Sequence, residues 1–156
     1  MKTARFTVLF FLLAVPAILA AQTPADSLKV VKTMKALLAI CKSVDLNDPK
    51  TTSLGAFYKA APYIIYHGDD KQRAWKEVCN YANADDKKGV DEACYIINQT
   101  IGLDANYRVV KYTTKKESEG LWHVLFVTYK KKAVQKKAIY AFLKIGDRFG
   151  LGDIDQ

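Results

Sequence analysis

The sequence predicts an α+β fold in which N-terminal helices pack on the concave face of a curved antiparallel sheet. Two observations lead to this prediction. Apolar residues recur at helical spacing in the first part of the chain, and from Asn106 onward apolar and polar residues alternate with the period of a β-strand. Helices that come before an antiparallel set of strands cover one face of the resulting sheet.

Four helices and one short strand are predicted before Asn106. Asp26 and Ser27 can cap the first helix, whose apolar residues keep helical spacing as far as Val44. Pro62 closes the second helix and opens a β-branched and aromatic strand. After the first helix we predict a helix at 51–61, a strand at 62–68, a helix at 70–81, a turn at 83–89 and a helix at 90–102.

Three or four antiparallel strands are predicted after Asn106. These segments are rich in β-branched and aromatic residues, which favour strands. Gly146 and Asp147 offer a tight turn that divides the last segment into two strands. The predicted strands cover residues 107–114, 121–131 and 136–154, with polar links at 116–120 and 131–137.

Residues 1–21 are interpreted as a signal peptide. Two positive charges in the first five residues precede an apolar run that is shorter than the about 20 residues of a membrane-spanning helix. We expect cleavage near Ala21, a secreted or periplasmic protein, and a single domain over residues 22–156. Leu19 stands where a small residue is preferred before such a site, so an uncleaved membrane anchor is the alternative.

The chain stays moderately basic after the signal peptide is removed. The signal takes two of the 24 basic residues and none of the 16 acidic ones, so the remainder carries a net charge of +6. Charge alone would allow nucleic-acid binding, but export argues against it. We therefore expect no nucleic-acid partner.

The closing stretch AFLKIGDRFGLGDID, together with the order of elements, resembles the cone-shaped superfamily of nuclear transport factor two and ketosteroid isomerase. The resemblance covers nearly all of residues 27–155 and implies a cone-shaped layout. A cystatin-like domain is the rival fold. Ketosteroid isomerases use an Asp base with a Tyr and a protonated Asp. The strands here carry Lys, Thr and Arg where an acid would be needed, so the resemblance does not extend to isomerase activity.

The stretch YHGDDKQRAW, residues 66–75, brings a His, a Gly and two carboxylates together. Asp69 and Gln72 have the spacing of a capping box at a helix start. Gly68 gives the corner its backbone freedom, and Asp70 suits the positive end of the helix dipole. This interpretation explains the segment without chemistry. The alternative is a carboxylate–His pair that binds a ligand or acts as a base.

His123 is the second candidate for a functional side chain. Strand alternation places it on one face with Leu125, while Trp122 lies on the other, and both faces are largely apolar. A His on such a face is more often a hydrogen-bonded core residue, although its pKa suits it to a pocket. The candidate ligand-binding residues are therefore His123, Tyr66, Trp75, His67 and Asp69.

No metal site, cofactor or catalytic set is predicted. The two His residues lie in different elements, and no Cys pair has the spacing of a zinc site. The chain also lacks a G-x-S-x-G nucleophile elbow, a phosphate-binding loop and a dinucleotide-binding glycine motif.

The three cysteines, Cys41, Cys79 and Cys94, all fall on predicted apolar helix faces. Cys79 and Cys94 lie on consecutive helices joined by a turn, so they are the candidate disulfide in an oxidising compartment. A pairing of Cys41 with either of them is an alternative. Three reduced thiols acting as small apolar fillers is another.

Five lysines cluster at one end of a predicted hairpin. This end of the sheet could make a weak contact with an anionic surface, although most such clusters are only solvated. The cluster consists of Lys130, Lys131, Lys132, Lys136 and Lys137.

The expected function is that of an exported small binding or accessory protein without catalytic activity of its own. It would hold a small apolar ligand or a protein partner on the concave, inner face of the curved sheet. The alternative is a small-molecule isomerase or hydrolase that uses His123 or Asp69 with a Tyr in a cone-shaped pocket. A homodimer that buries the outer strand face is a third option. A filled interior around His123 would count against the enzyme.

Overall fold

The computed structural model describes residues 24–44, 57–65 and 77–156, so the predicted signal peptide lies outside the described residues. Within these described residues, two α-helices and two short 3-10 helices precede a curved, open, four-stranded antiparallel sheet, which confirms the α+β class. The elements are α1 (Pro24–Lys42), η1 (Tyr58–Tyr63), α2 (Ala84–Gln99), η2 (Ile101–Leu103), β1 (Arg108–Glu117), β2 (Gly120–Lys131), β3 (Val134–Ile145) and β4 (Arg148–Asp155).

The four strands form a meander in the order β1-β2-β3-β4. A two-residue turn joins β2 to β3, with φ of 50° at Lys132 and 65° at Ala133. Left-handed backbone at both central positions matches the twist of a hairpin. The predicted polar link at 131–137 was therefore too long, since β3 begins at Val134. Gly146, with φ of 60°, forms the predicted turn between β3 and β4.

Helix α1 packs one apolar face on the sheet, as its spacing predicted. Val30, Met34, Leu37 and Cys41 are buried at intervals of three and four residues, while the lysines between them are exposed. This buried face is therefore the side of α1 that packs against the sheet, and the lysines lie on the solvent side.

Helix α2 begins earlier than predicted, so the turn expected at residues 83–89 was wrong. The Asn83 side chain accepts hydrogen bonds from the backbone N–H groups of Asp85, at 2.9 Å, and Asp86, at 3.3 Å. Both acids also suit the positive helix N-terminus, so the segment starts a helix. The helix ends at Gln99, and Gly102 lies in η2 beyond it.

The helix predicted at residues 70–81 is wrong over 77–81, and residues 66–76 lie outside the described residues. Val78 pairs in antiparallel fashion with Ile65, and the Cys79 N–H donates to the Ile64 carbonyl at 2.8 Å. Extended pairing takes the backbone groups that a helix would use, and β-branched residues favour it.

The short strand predicted at 62–68 is wrong at Pro62 and Tyr63, which lie in η1, while Ile64 and Ile65 are extended and residues 66–68 lie outside the described residues. Ile64 pairs in parallel with Leu151 of β4, and the Ile65 N–H donates to the Leu151 carbonyl at 2.9 Å. Pro62 does not close the preceding helix as predicted, because it lies inside η1. The fixed φ of proline fits a 3-10 turn.

The sheet buries apolar side chains on both faces. The helices pack against the inner face, where the main core includes Leu125, Tyr140 and Phe142. Trp122 and Leu143 are cross-strand partners one position out of phase with that set, so they lie on the outer face. There they form a second, smaller cluster with Ile65.

Candidate functional site

Four of the five predicted ligand-binding residues lie outside the described residues. They are Tyr66, His67, Asp69 and Trp75, all within residues 66–76. Both interpretations of that stretch, the helix cap and the carboxylate–His pair, stay predictions.

His123 lies on the inner face of β2 and is 1% exposed. Its Nδ1 is 2.6 Å from the hydroxyl of Tyr112 on β1, a diagonal neighbour on the same sheet face. The ring also meets Phe149 of β4 edge to face, with centroids 4.8 Å apart. Three strands therefore fix the position of this imidazole.

A charged pair lies close to His123. The Lys144 Nζ on β3 is 3.2 Å from the Asp26 carboxylate at the start of α1. The Asp26 side chain is only 18% exposed. The partial burial strengthens this pair relative to a surface ion pair, and it joins the first turn of α1 to the sheet.

Burial lowers the pKa of His123 below its ordinary value of 6.5, and the positive charge of Lys144 adds to this effect. The negative charge of Asp26 opposes it. Burial, followed by the charge of Asp26, raises the pKa of Tyr112. His123 is therefore neutral at neutral pH, and its Nε2 is buried without a hydrogen-bond partner among the described residues.

A neutral imidazole that is hydrogen-bonded to a tyrosine hydroxyl can exchange a proton with a bound molecule. The arrangement around His123 gives such a molecule no room, because Phe142 and Phe149 are buried beside it. The geometry is that of a polar pair inside a packed core. Neither Tyr112 nor the Asp26–Lys144 pair was predicted from the sequence, since strand register brings Tyr112 to His123 and the packing of α1 on the sheet brings Asp26 to Lys144.

Acidification below about pH 6.5 is expected to lower the free energy of unfolding through His123. The folded state binds the His123 proton more weakly than the unfolded chain does, because the folded pKa is lowered. The stability that His123 contributes is therefore fully present above the pKa of His123 in the unfolded chain. It is lost as the pH falls towards the lower pKa of His123 in the folded state. Urea unfolding at about pH 8 and about pH 5 measures the loss.

The control for this experiment uses the two histidines. The His123→Asn variant should lose less stability on acidification than the wild type, because asparagine does not titrate and can still bond Tyr112. The His67→Asn variant should behave like the wild type. An equal loss in wild type and His123→Asn would contradict the role given to His123.

A groove crosses the outer face of the sheet and has a volume of about 360 Å³. Its floor is apolar and consists of Trp122, Val124, Ile139 and Ala141. Its rim is charged and consists of Lys115, Glu117, Glu119, Asp153 and Asp155.

The rim of the outer groove carries four carboxylates and one ammonium group. Lys115 pairs with Glu117, and this hydrogen bond raises the pKa of Lys115. Backbone and Ser118 hydrogen bonds lower the pKa of Glu119, so this carboxylate stays charged at neutral pH. The groove is therefore net negative around an apolar floor.

Strand alternation predicted an apolar outer face but missed the rim. Asp153 reaches the groove because the ladder shifts register between Ala141 and Phe142. A sequence pattern does not show such a bulge. Glu117 and Glu119 reach it because a tight turn follows β1.

The side chains of all three cysteines are buried. Cys79 lies on the extended segment at the sheet edge, and its expected place on a helix was wrong. The thiol of Cys94 is hydrogen-bonded to Cys41, and this bond and burial raise the pKa of Cys94. The Cys79–Cys94 disulfide stays a prediction.

The lysine cluster lies around the two-residue turn between β2 and β3. Lys130, Lys132, Lys136 and Lys137 are exposed, and Lys131 is half-buried. Asp104 accepts a hydrogen bond from the backbone N–H of Lys130 at 2.7 Å, so a carboxylate lies at the edge of the cluster. Contact with an anionic surface stays a prediction.

Within residues 24–44, 57–65 and 77–156, no group of three His, Cys, Asp or Glu side chains could hold a metal ion. In the same part of the chain, no helix combines the length and apolar character needed to cross a membrane.

No known family model, curated protein or solved structure matches this chain. The resemblance to the cone-shaped superfamily therefore stays a prediction, while the α+β class rests on the coordinates.

Proposed function

We propose that this chain is an exported small binding or accessory protein without catalytic activity of its own. It holds a small apolar ligand that bears a positive charge in the groove on the outer face of its sheet. The observation that carries this proposal is the second apolar face of β2 and β3, which forms a groove ringed by carboxylates.

The size of the groove supports a small ligand. Its volume of about 360 Å³ falls in the range of ligand pockets, about 300–1,000 Å³. The floor offers an indole and three aliphatic side chains, which favour an apolar body. The inner face was the expected binding face, but around His123 it is filled by buried side chains.

The charge of the rim supports a cationic group on that ligand. Among the described residues that line the groove, Glu117, Glu119, Asp153 and Asp155 outnumber the ammonium of Lys115. A cation with an apolar tail would bury its tail on the floor and keep its charge at the rim, where opposite charges attract. Export is supported by the sequence of residues 1–21 alone.

The second candidate function is a small-molecule isomerase or hydrolase that uses His123. The 2.6 Å contact between His123 and Tyr112 favours it, because it joins two groups able to move a proton. The burial of His123 argues against it, because a substrate would have to displace core side chains to reach Nε2.

The test of the groove uses octyltrimethylammonium, with octyl sulfate and tetramethylammonium as matched probes. The Trp75→Phe variant leaves Trp122, on the groove floor, as the single tryptophan. Octyltrimethylammonium should change the Trp122 emission saturably. Octyl sulfate should bind roughly tenfold more weakly or worse, which corresponds to about 1.4 kcal/mol. Tetramethylammonium, which lacks the tail, should bind weakest.

The control variants separate the groove from the rest of the surface. The double variant Asp153→Asn and Asp155→Asn should weaken octyltrimethylammonium binding, and Val124→Lys should abolish it. The Asp147→Asn variant, which neutralises a carboxylate outside the groove, should leave it unchanged. Equal binding of both octyl probes, or no saturable change with any probe, would refute the proposal.

A further inference from the structure

Helices α1 and α2 face each other at two buried cysteines. Cys41 in the last turn of α1 and Cys94 in α2 are both fully buried in the main core. Asn98, one helical turn after Cys94, donates from its side chain to the Cys41 carbonyl at 3.3 Å. This hydrogen bond fixes the two helices at the level of the two thiols.

The two side chains also interact. A side-chain hydrogen bond joins Cys94 to Cys41, and it is the largest cause of the raised pKa of Cys94. A disulfide joins two sulfurs about 2.05 Å apart on facing Cβ atoms. Oxidation of this pair therefore requires the two sulfurs to come within bonding distance between helices that already face each other at this level.

Cys79 lies beside a different face of α2. It lines a cavity together with Asp86, Gly89 and Ala93, which follow each other at three- and four-residue spacing. Cys94 instead shares its helix face with the buried Val90 and Ile97. Successive residues of a helix lie about 100° apart around its axis. The side of α2 that faces Cys79 is therefore not the side that carries Cys94.

We infer that Cys41 and Cys94 form a disulfide that joins α1 to α2 when the chain folds in the presence of a thiol–disulfide oxidant. One deprotonated cysteine attacks an external disulfide and expels one thiolate. The other cysteine attacks the resulting mixed disulfide and expels the second thiolate. The two cysteines are oxidised by two electrons, and the two released thiolates take up the two protons.

The burial of both sulfurs decides when this exchange takes place. An external disulfide reaches Cys41 and Cys94 during folding and is excluded once the helices have packed. The bridge closes a loop over residues 42–93, which contains η1 and the extended segment at the edge of β4. Such a loop constrains the unfolded chain and so stabilises the fold.

Refolding the reduced chain with oxidised glutathione, followed by denaturation, alkylation and trypsin, identifies the pair. Cleavage after Lys and Arg places the three cysteines in three separate peptides, 36–42, 77–87 and 89–108. Mass spectrometry should find the first and third peptides cross-linked and Cys79 alkylated. A link to Cys79, or three alkylated cysteines, would overturn the inference.

Two matched variants give an independent readout of the same bridge. Reduction should lower the Tm of wild type and of Cys79→Ala by at least about 5 °C. The Tm of Cys94→Ala should not respond to reductant. A reductant response that survives in Cys94→Ala, or one that disappears in Cys79→Ala, would contradict a Cys41–Cys94 bond. Neither readout depends on ligand binding in the outer groove.

Discussion

Replacing Phe142 by alanine is expected to lower the free energy of unfolding by about 3–5 kcal/mol. Phe142 is fully buried on the inner face of β3, opposite His123 in the ladder. Truncation removes apolar contacts between the helices and the sheet and leaves a cavity that the neighbouring strands do not fill. The loss is a large share of the about 5–15 kcal/mol that stabilises a typical domain, and urea unfolding measures it.

Phe126→Ala is the matched control for Phe142→Ala. Phe126 is half-buried on the outer face of β2, and its ring lies 5.2 Å from the Lys111 ammonium. The variant should lose less than half as much stability, since less area returns to water and the cation–π contact is worth about 0.5–1 kcal/mol. Equal losses from both variants would contradict the assignment of the inner and outer faces.

Replacing Gly152 by alanine is expected to destabilise the protein by about 1–3 kcal/mol. A Cβ at this position would lie 2.7 Å from the indole of Trp122 and 2.8 Å from Cδ1 of Ile65. Both neighbours are buried in the outer cluster, so neither can move without opening it. The variant therefore tests whether Ile65 packs on the outer face, and thermal unfolding measures the effect.

Gly89→Ala is the control, and its expected effect has the opposite sign. Gly89 lies inside α2, and a Cβ there would meet no atom within 4 Å. Alanine in a helix interior is favoured over glycine by about 0.5–1 kcal/mol, so this variant should be slightly more stable than wild type. A loss of stability in Gly89→Ala, or none in Gly152→Ala, would show that the packing around these glycines is different.

The sequence predicted the strands and α1 well because each has a regular burial pattern. In α1, buried residues follow at three- and four-residue intervals from Val30 to Cys41. In β2, burial alternates from His123 to Tyr129. Such patterns depend only on local geometry and on the side that faces the core.

The errors lie where a strand pairing or a side-chain cap decides the backbone conformation. Val78 and Cys79 have helical spacing with earlier apolar residues, yet pairing with Ile64 and Ile65 makes them extended. Asn83 was interpreted as part of a turn at 83–89. Its side chain caps the helix that those acids begin.

The sequence identified His123 as a candidate residue, but it did not predict which side chains surround His123 in the fold. His123 was selected for its place on an apolar strand, and it is buried there. Its contact with Tyr112 depends on the register of β1 against β2, which shifts between Val109 and Lys111. A pattern within one strand contains no information on such a shift.

The two borders of the sheet differ in how they resist self-association. Ile64 pairs with β4 at Leu151, whereas β1 has no neighbouring strand on its far side among the described residues. That border carries Arg108, Lys111, Lys115 and Lys116, all exposed, and a bulge interrupts its ladder. Positive charges and bulges on an edge strand oppose its pairing with the edge strand of another molecule into an intermolecular β-sheet. The protein is thus guarded against fibrillar aggregation along the β1 edge.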